Sequence, residues 1–179
     1  MAGGGGQGLA VVLFSGHGTM IDDQLYLVPY GADDSTMARL KASAIPASEF
    51  QAEIAKLAEH GRVLVLLDAC HSAGLFGALP TSNRLKTVLA AGNVTVLTST
   101  STADKRSRED EKWQHGAFSK VLLDALSGSA ADIDTNHDGV ISMTELTEYM
   151  AKHLEGLTSG DQQLGLEVRF QGDLFVAGM

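Results

Sequence analysis

Val63-Leu-Val-Leu-Leu67 is an unbroken apolar run of β-forming residues, and no other segment limits the fold as tightly. It is too short for a buried helix and lacks polar alternation, so it reads as a buried strand. Leu9-Ala-Val-Val-Leu-Phe14 and Val94-Thr-Val-Leu-Thr98 read the same way. Other stretches carry apolar residues at helical spacing. Phe50, Ile54 and Leu57 share one face, with Ser48 and Gln51 as a capping box and Gly61 as the stop. Further helices are expected over Ser82–Ala91, around Phe118, Leu122 and Leu126, and from Leu146 to Leu154. Leu25–Val28, stopped by Pro29, reads as a short strand, and Leu174–Ala177 as a last one. Residues 31–45 and 99–114 read as loop. Buried strands alternating with amphipathic helices predict an α/β fold, a three-layer sandwich around a mostly parallel sheet, in a single domain over residues 1–179. Residues 1–8 are glycine-rich and read as a flexible start.

A net charge of −9 argues against non-specific nucleic-acid binding. No apolar run approaches the roughly 20 residues of a membrane span, and no secretory signal is visible at the start. The single cysteine allows no internal disulfide and fits a reducing, cytoplasmic compartment.

In parallel sheets, chemistry gathers at the carboxyl ends of strands. Two chemically active residues fall there. Ser15-Gly16-His17-Gly18 follows the first buried run, and Asp68-Ala69-Cys70-His71 follows the central one. Thiol attack on a carbonyl needs a thiolate, and a nearby imidazole both lowers the thiol pKa and protonates the leaving amine. Cys70 is therefore the candidate nucleophile and His17 its base; no cofactor is required for that chemistry. His71 is the rival base, although adjacent residues after a strand tend to point apart. The oxyanion that forms needs backbone N–H donors, for which Gly18 and Cys70 itself are the candidates. Taken singly, a cysteine is usually a small buried hydrophobe; the paired placement after two buried strands is what sets these residues apart.

Together, Ser15-Gly16-His17-Gly18 and Asp68-Ala69-Cys70-His71-Ser72-Ala73-Gly74 resemble the caspase-like cysteine peptidases, and within them the bacterial, metacaspase-related branch. Tyr26-Leu27-Val28-Pro29, Thr98-Ser99-Thr100 and Gly116-Ala117-Phe118 extend the resemblance over nearly the whole chain. It implies a caspase-like fold, a protein or peptide substrate, and cleavage after Arg or Lys. It places Asp68 in the pocket for that basic side chain, with Asp104 as a second candidate, since a carboxylate pairs well with a guanidinium. Arg106 and Arg108 in the same loop keep a pocket for acidic side chains open as the alternative. Members of this family usually have two strands and a helix before the histidine strand. The few residues before Leu9 cannot supply them, so either the sequence is shortened or another chain or segment provides those strands. A sheet with such an uncovered edge is prone to associate.

Asp134-Thr-Asn136-His-Asp138-Gly139-Val140-Ile-Ser-Met-Thr-Glu145 fits the twelve-residue EF-hand pattern, with helical segments expected on both sides. Ca²⁺ is the cofactor this pattern implies, held by Asp134, Asn136, Asp138, the Val140 carbonyl and Glu145. EF-hands usually work in pairs, and the bland alternative is a turn whose Asp and Asn side chains cap helices. Basic specificity would also expose the chain to self-cutting, at Arg84 or Lys86 or in the Lys105-Arg106-Ser107-Arg108 cluster. The function expected from the whole reading is a cysteine endopeptidase. Two readings from other classes compete with it: an inactive scaffold or binding module of the same fold, and a calcium-binding domain.

Overall fold

The structure is a computed structural model that describes residues 8–69, 93–101, 107–113, 115–127, 132–167 and 175–178. Its centre is a four-stranded sheet in the order β1 (Leu9–Ser15), β5 (Arg62–Asp68), β6 (Val94–Thr98), β10 (Gly165–Glu167). β1, β5 and β6 run parallel, and β10 closes the far side antiparallel to β6. The central run behaves as its sequence requires: Val63 to Leu67 are all buried. Their side chains alternate between two cores, Val63, Val65 and Leu67 in one and Leu64 and Leu66 in the other. That two-sided burial makes the three-layer α/β arrangement, and it excludes an open, solvent-facing sheet.

On one face lies α2 (Ala47–Ala58), which buries Gln51, Ile54, Ala55 and Ala58. Its buried stripe is rotated from the one expected: Phe50 is half-buried and Leu57 is 42% exposed. No Ser48–Gln51 capping box forms, because the helix starts two residues earlier, with Pro46 as N-cap and Ser48 already inside it. On the other face lie α3 (Ala117–Leu126) and α4 (Met143–Leu157). α3 buries Ala117, Phe118, Val121, Leu122 and Ala125, and α4 buries Met143, Leu146, Met150 and Leu154, so each presents a stripe of helical period to the other. Truncating a fully buried side chain such as Phe118 to Ala costs about 3–5 kcal/mol.

Two segments read as loop carry structure. Residues 31–45 contain α1 (Met37–Ser43) and the start of β4 (Ile45–Pro46). α1 buries nothing, so it leaves no apolar stripe in the sequence; it starts on its Thr36 cap, whose hydroxyl accepts the Arg39 N–H at 3.3 Å. Residues 99–114 are likewise more than an exposed loop. Ser99 and Thr100 are fully buried, and β7 (Glu109–Asp110) pairs with β8 (His115–Gly116) as a small hairpin. His17 belongs to a strand, β2 (His17–Ile21), hairpinned to β3 (Gln24–Val28), which in turn pairs with β4. The two-residue turn is Asp22-Asp23, with φ of 50° and 58°, as a tight type I′ hairpin requires. The segment expected as a last strand appears as β11 (Phe175–Gly178), paired to β9 (Val140–Ser142).

β1 pairs with β5 on one side only, and among the described residues its other edge has no partner. Val11 and Leu13, on one face of β1, are 56% and 54% exposed. Among the described residues no helix is long and apolar enough to cross a membrane. The helix expected over Ser82–Ala91 and the glycine-rich start before Gly8 lie outside the described residues.

Candidate active site

The pairing of β1 with β5 sets the site's geometry. Their register runs from Leu9 opposite Arg62 to Ser15 opposite Asp68, and the Gly16 N–H donates to the Asp68 carbonyl at 3.0 Å. His17 follows Ser15 by two residues and Cys70 follows Asp68 by two. The strand ends that precede the two candidate dyad residues in the chain, Ser15 and Asp68, therefore lie at the same level of neighbouring parallel strands. His17 is exposed at the head of β2, opposite Val28, and Gly18 is half-buried opposite Leu27. At Gly16 a side chain would press on the Phe14 ring and the Val28 carbonyl, each 3.0 Å from a Cβ built there. Cys70, the rival base His71, Asp104 and Arg106 lie outside the described residues, as do the cutting candidates Arg84, Lys86 and Lys105.

Asp68 is the best-defined charged group of the site. It is 4% exposed. Ser107 Oγ donates to its Oδ1 at 2.9 Å; the Ser119 N–H and hydroxyl donate to its Oδ2 at 3.0 and 2.6 Å. Gly116 is the N-cap of α3, so Ser119 is its third residue and the carboxylate serves that helix as a cap supplied from another strand. A Cβ on residue 116 would stand 2.5 Å from Oδ2, which explains the glycine in Gly116-Ala117-Phe118. Three of the carboxylate's roughly four acceptor sites are filled. Among the described residues these three donors are the ones that hold the carboxylate.

A cavity of about 890 Å³ opens beside Asp68, which lies behind its lining residues Gly116 and Ser119; Leu13 and three leucines of α3 make much of the lining apolar, and Glu109 and Asp110 of the β7–β8 hairpin supply its acidic part. Arg108, which kept an acidic-substrate pocket open, is exposed and ion-paired to Asp161. Sequence reasoning missed Ser107, Ser119 and the hairpin acids. They are ordinary residues in sequence, and only the folded chain brings residues 39 and 51 positions away onto Asp68.

The 134–145 loop has its own internal logic. Glu145 Oε1 accepts the Thr135 N–H at 2.9 Å, the Thr135 hydroxyl at 3.0 Å and the Asn136 N–H at 3.3 Å; Oε2 accepts the Ser142 N–H at 3.0 Å and its hydroxyl at 2.8 Å. With Ser142 it forms the capping box of α4. The Ser142 bonds, helped by Thr135 and Asn136, hold the Glu145 carboxyl down at about 2 against the opposing effect of its burial. Asp134 accepts the Asp138 and Gly139 N–H groups, Asn136 the Asp138 N–H, and Asp138 the Val140 N–H. His137 and Gly139 take φ of 58° and 80° to make these turns. Among the described residues no three His, Cys, Asp or Glu side chains are grouped so as to hold a metal ion. As arranged, the loop's oxygens accept hydrogen bonds from its own backbone.

A family model, the caspase domain, matches residues 3–168. A search of curated proteins finds no match. Among solved structures the chain is similar to the crystal structure of protein GSU0716 from Geobacter sulfurreducens, at a TM-score of 0.57 and 16% identity, covering 94% of this chain and 68% of that one. That likeness concerns the fold.

Proposed function

The chain belongs to the caspase-domain family, whose members are peptidase-type hydrolases acting on proteins, and from that premise we propose that it is a cysteine endopeptidase with Cys70 as nucleophile and His17 as base. The observation that carries the reading is the register of β1 against β5, with Ser15 opposite Asp68 and the dyad residues equally far beyond each. Attack by the Cys70 thiolate on a peptide carbonyl gives a tetrahedral oxyanion, for which the N–H groups of Gly18 and Cys70 are the proposed donors. His17 then protonates the leaving amine, and water releases the acyl group.

We assign the preference to substrates with Arg or Lys before the cut bond, as in the metacaspase-like branch. Asp68 lies against Gly116 and Ser119 of the cavity wall, and Glu109 and Asp110 on that wall add negative charge where a basic side chain would enter. Asp104 remains proposed for the same pocket. The pairing of Arg108 with Asp161 weighs against an acidic substrate. The test is a mixed peptide library incubated with the chain and with Cys70→Ala. Cuts after Arg or Lys in the wild type alone support the proposal; equal cutting by both proteins, or a preference for Asp, overturns it.

Two further proposals attach to this reading. The open edge of β1, with Val11 and Leu13 exposed beside it, is where another chain or segment adds strands to the sheet. Ca²⁺ binding at 134–145 is a separate proposal. It requires Glu145 to release the Thr135 and Asn136 donors, and equal calorimetric titrations of wild type and Glu145→Gln would remove it.

A further inference from the structure

We propose that Gln162 is a positioning residue for Asp68, and through it for the selectivity of the site toward basic side chains; this rests on the peptidase reading above. Gln162 lies in the turn after α4 and is 0% exposed. Both ends of its amide are used: Nε2 donates to the Ser99 carbonyl at 2.7 Å, and Oε1 accepts the Arg108 N–H at 2.8 Å. Only this orientation of the amide satisfies both partners, since the reverse sets donor against donor and acceptor against acceptor. The Gln162 N–H donates to the Thr158 hydroxyl at 3.1 Å, and that hydroxyl donates to the Leu154 carbonyl at 2.8 Å. The amide is thus anchored on the last turn of α4.

The two groups that Gln162 grips bracket the segment that reaches Asp68. Ser107 precedes Arg108, and its hydroxyl bonds the Asp68 carboxylate at 2.9 Å. Ser99 Oγ stands 2.6 Å from Ser107 Oγ and 3.1 Å from the carbonyl of Ala69, the residue between Asp68 and Cys70 in the chain. Arg108 also accepts the Ala117 N–H at 2.8 Å, at the first turn of α3, where Ser119 supplies Asp68 with its other two donors. Among the described residues, the donors to Asp68 are therefore tied to the Arg108 backbone that Gln162 holds, Ser107 as its chain neighbour and Ser119 through the first turn of α3. Cutting the amide out removes the Gln162 bond from the buried Ser99 carbonyl and from the part-buried Arg108 N–H, which loosens the segment between them. Ser107 shifts with it, and the carboxylate loses its fixed direction.

The test uses the full chain with Gln162→Met, Ser107→Ala, both together, and Gln162→Glu, assayed on peptides that differ only in Arg or Leu before the cut bond. Gln162→Met should raise KM for the Arg peptide on the order of tenfold, lower kcat less, and erode the preference for Arg. Adding Ser107→Ala should change little more, because both act through one chain of bonds. Gln162→Glu keeps the acceptor for Arg108 and loses the donor to Ser99, so it should fall between. Independently of turnover, the Ser119 amide, which donates to Asp68, should exchange its hydrogen faster in Gln162→Met. An undiminished preference for Arg, fully additive effects, or unchanged Ser119 exchange overturns the proposal and leaves Gln162 with a role in the fold alone. Should Gln162→Met fail to fold, Gln162→Glu and Ser107→Ala carry the same comparison. A wild type that cuts neither peptide refutes the peptidase reading itself, and that result is distinct because it appears before any substitution is made.

Discussion

Asp68 and Glu145 are both buried acids, 4% and 5% exposed, and each accepts a backbone N–H group at the start of a helix. Their partners differ in kind. Glu145 is held by groups three to ten residues away, within one loop and one capping box. Asp68 is held by Ser107 and Ser119, 39 and 51 residues away on separate elements. The first acid organises its own turn through partners in the same loop and helix start. The second exists as an anchored group only after β5, α3 and the β6–β7 segment have come together. A group held by the assembled fold keeps its position only while those elements stay together, so Asp68 reports on tertiary assembly and Glu145 on local structure.

The largest effect expected is on catalysis, and it falls at the strand ends alone. Cys70→Ala or His17→Ala should each lower turnover by at least ~10³-fold, since members of such a unit fail together. Glu145→Gln should leave kcat/KM within about twofold. A loop variant as inactive as the dyad variants, measured on the same peptide, would break the division between the two regions.

Next in size is the anchoring of Asp68. Asp68→Ala strands the Ser119 and Ser107 donors and should cost about 1–3 kcal/mol in denaturant unfolding, with loss of preference for Arg and Lys. Gly116→Ala attacks the same contact from the other side, placing a methyl 2.5 Å from Asp68 Oδ2; it should cost about 1–3 kcal/mol. Full stability in Gly116→Ala would show that the carboxylate can move aside, and would weaken the claim that its position is fixed.

The same contrast decides what could be read from the chain. Val63–Leu67 and Val94–Thr98 were legible because burial on two faces demands continuous apolar runs. Asp68 and the proposed dyad were read as a motif after a strand, of which the described residues bear on Asp68 and His17 alone, and the twelve-residue loop was read as a local pattern. The Asp22-Asp23 hairpin was not, since the turn lacks the usual glycine and β2 has no apolar alternation. α1 was not, because a helix that buries nothing leaves no stripe. Ser107, Ser119 and Gln162 were invisible for a different reason: their role comes wholly from partners 39 to 63 residues away. The loop shows the converse limit. Its spacing suited a cation, yet the same oxygens also suit the loop's own N–H groups, and spacing alone does not choose between them.

The smallest effect expected is the pH dependence carried by Glu145, and it tests whether the loop is self-sufficient. Bonds from Ser142 first, then Thr135 and Asn136, hold its carboxyl at about 2 in the folded chain, whereas an unfolded chain titrates it near the ordinary value of about 4.3. The folded state therefore binds fewer protons in the interval between those values. Its stabilising contribution is complete above the unfolded value and is lost as pH falls through the folded one. Denaturant midpoints of wild type and Glu145→Gln, measured from pH 6 downward, should differ by a constant amount to about pH 5. The difference should then shrink and level off near pH 2. Other acids titrate in the same window, so only the difference between the two proteins isolates Glu145. Parallel curves throughout would mean that the loop keeps its shape without this charge. In that case the local carboxylate would be the dispensable one, and the anchored acid at Asp68 would alone link charge to structure.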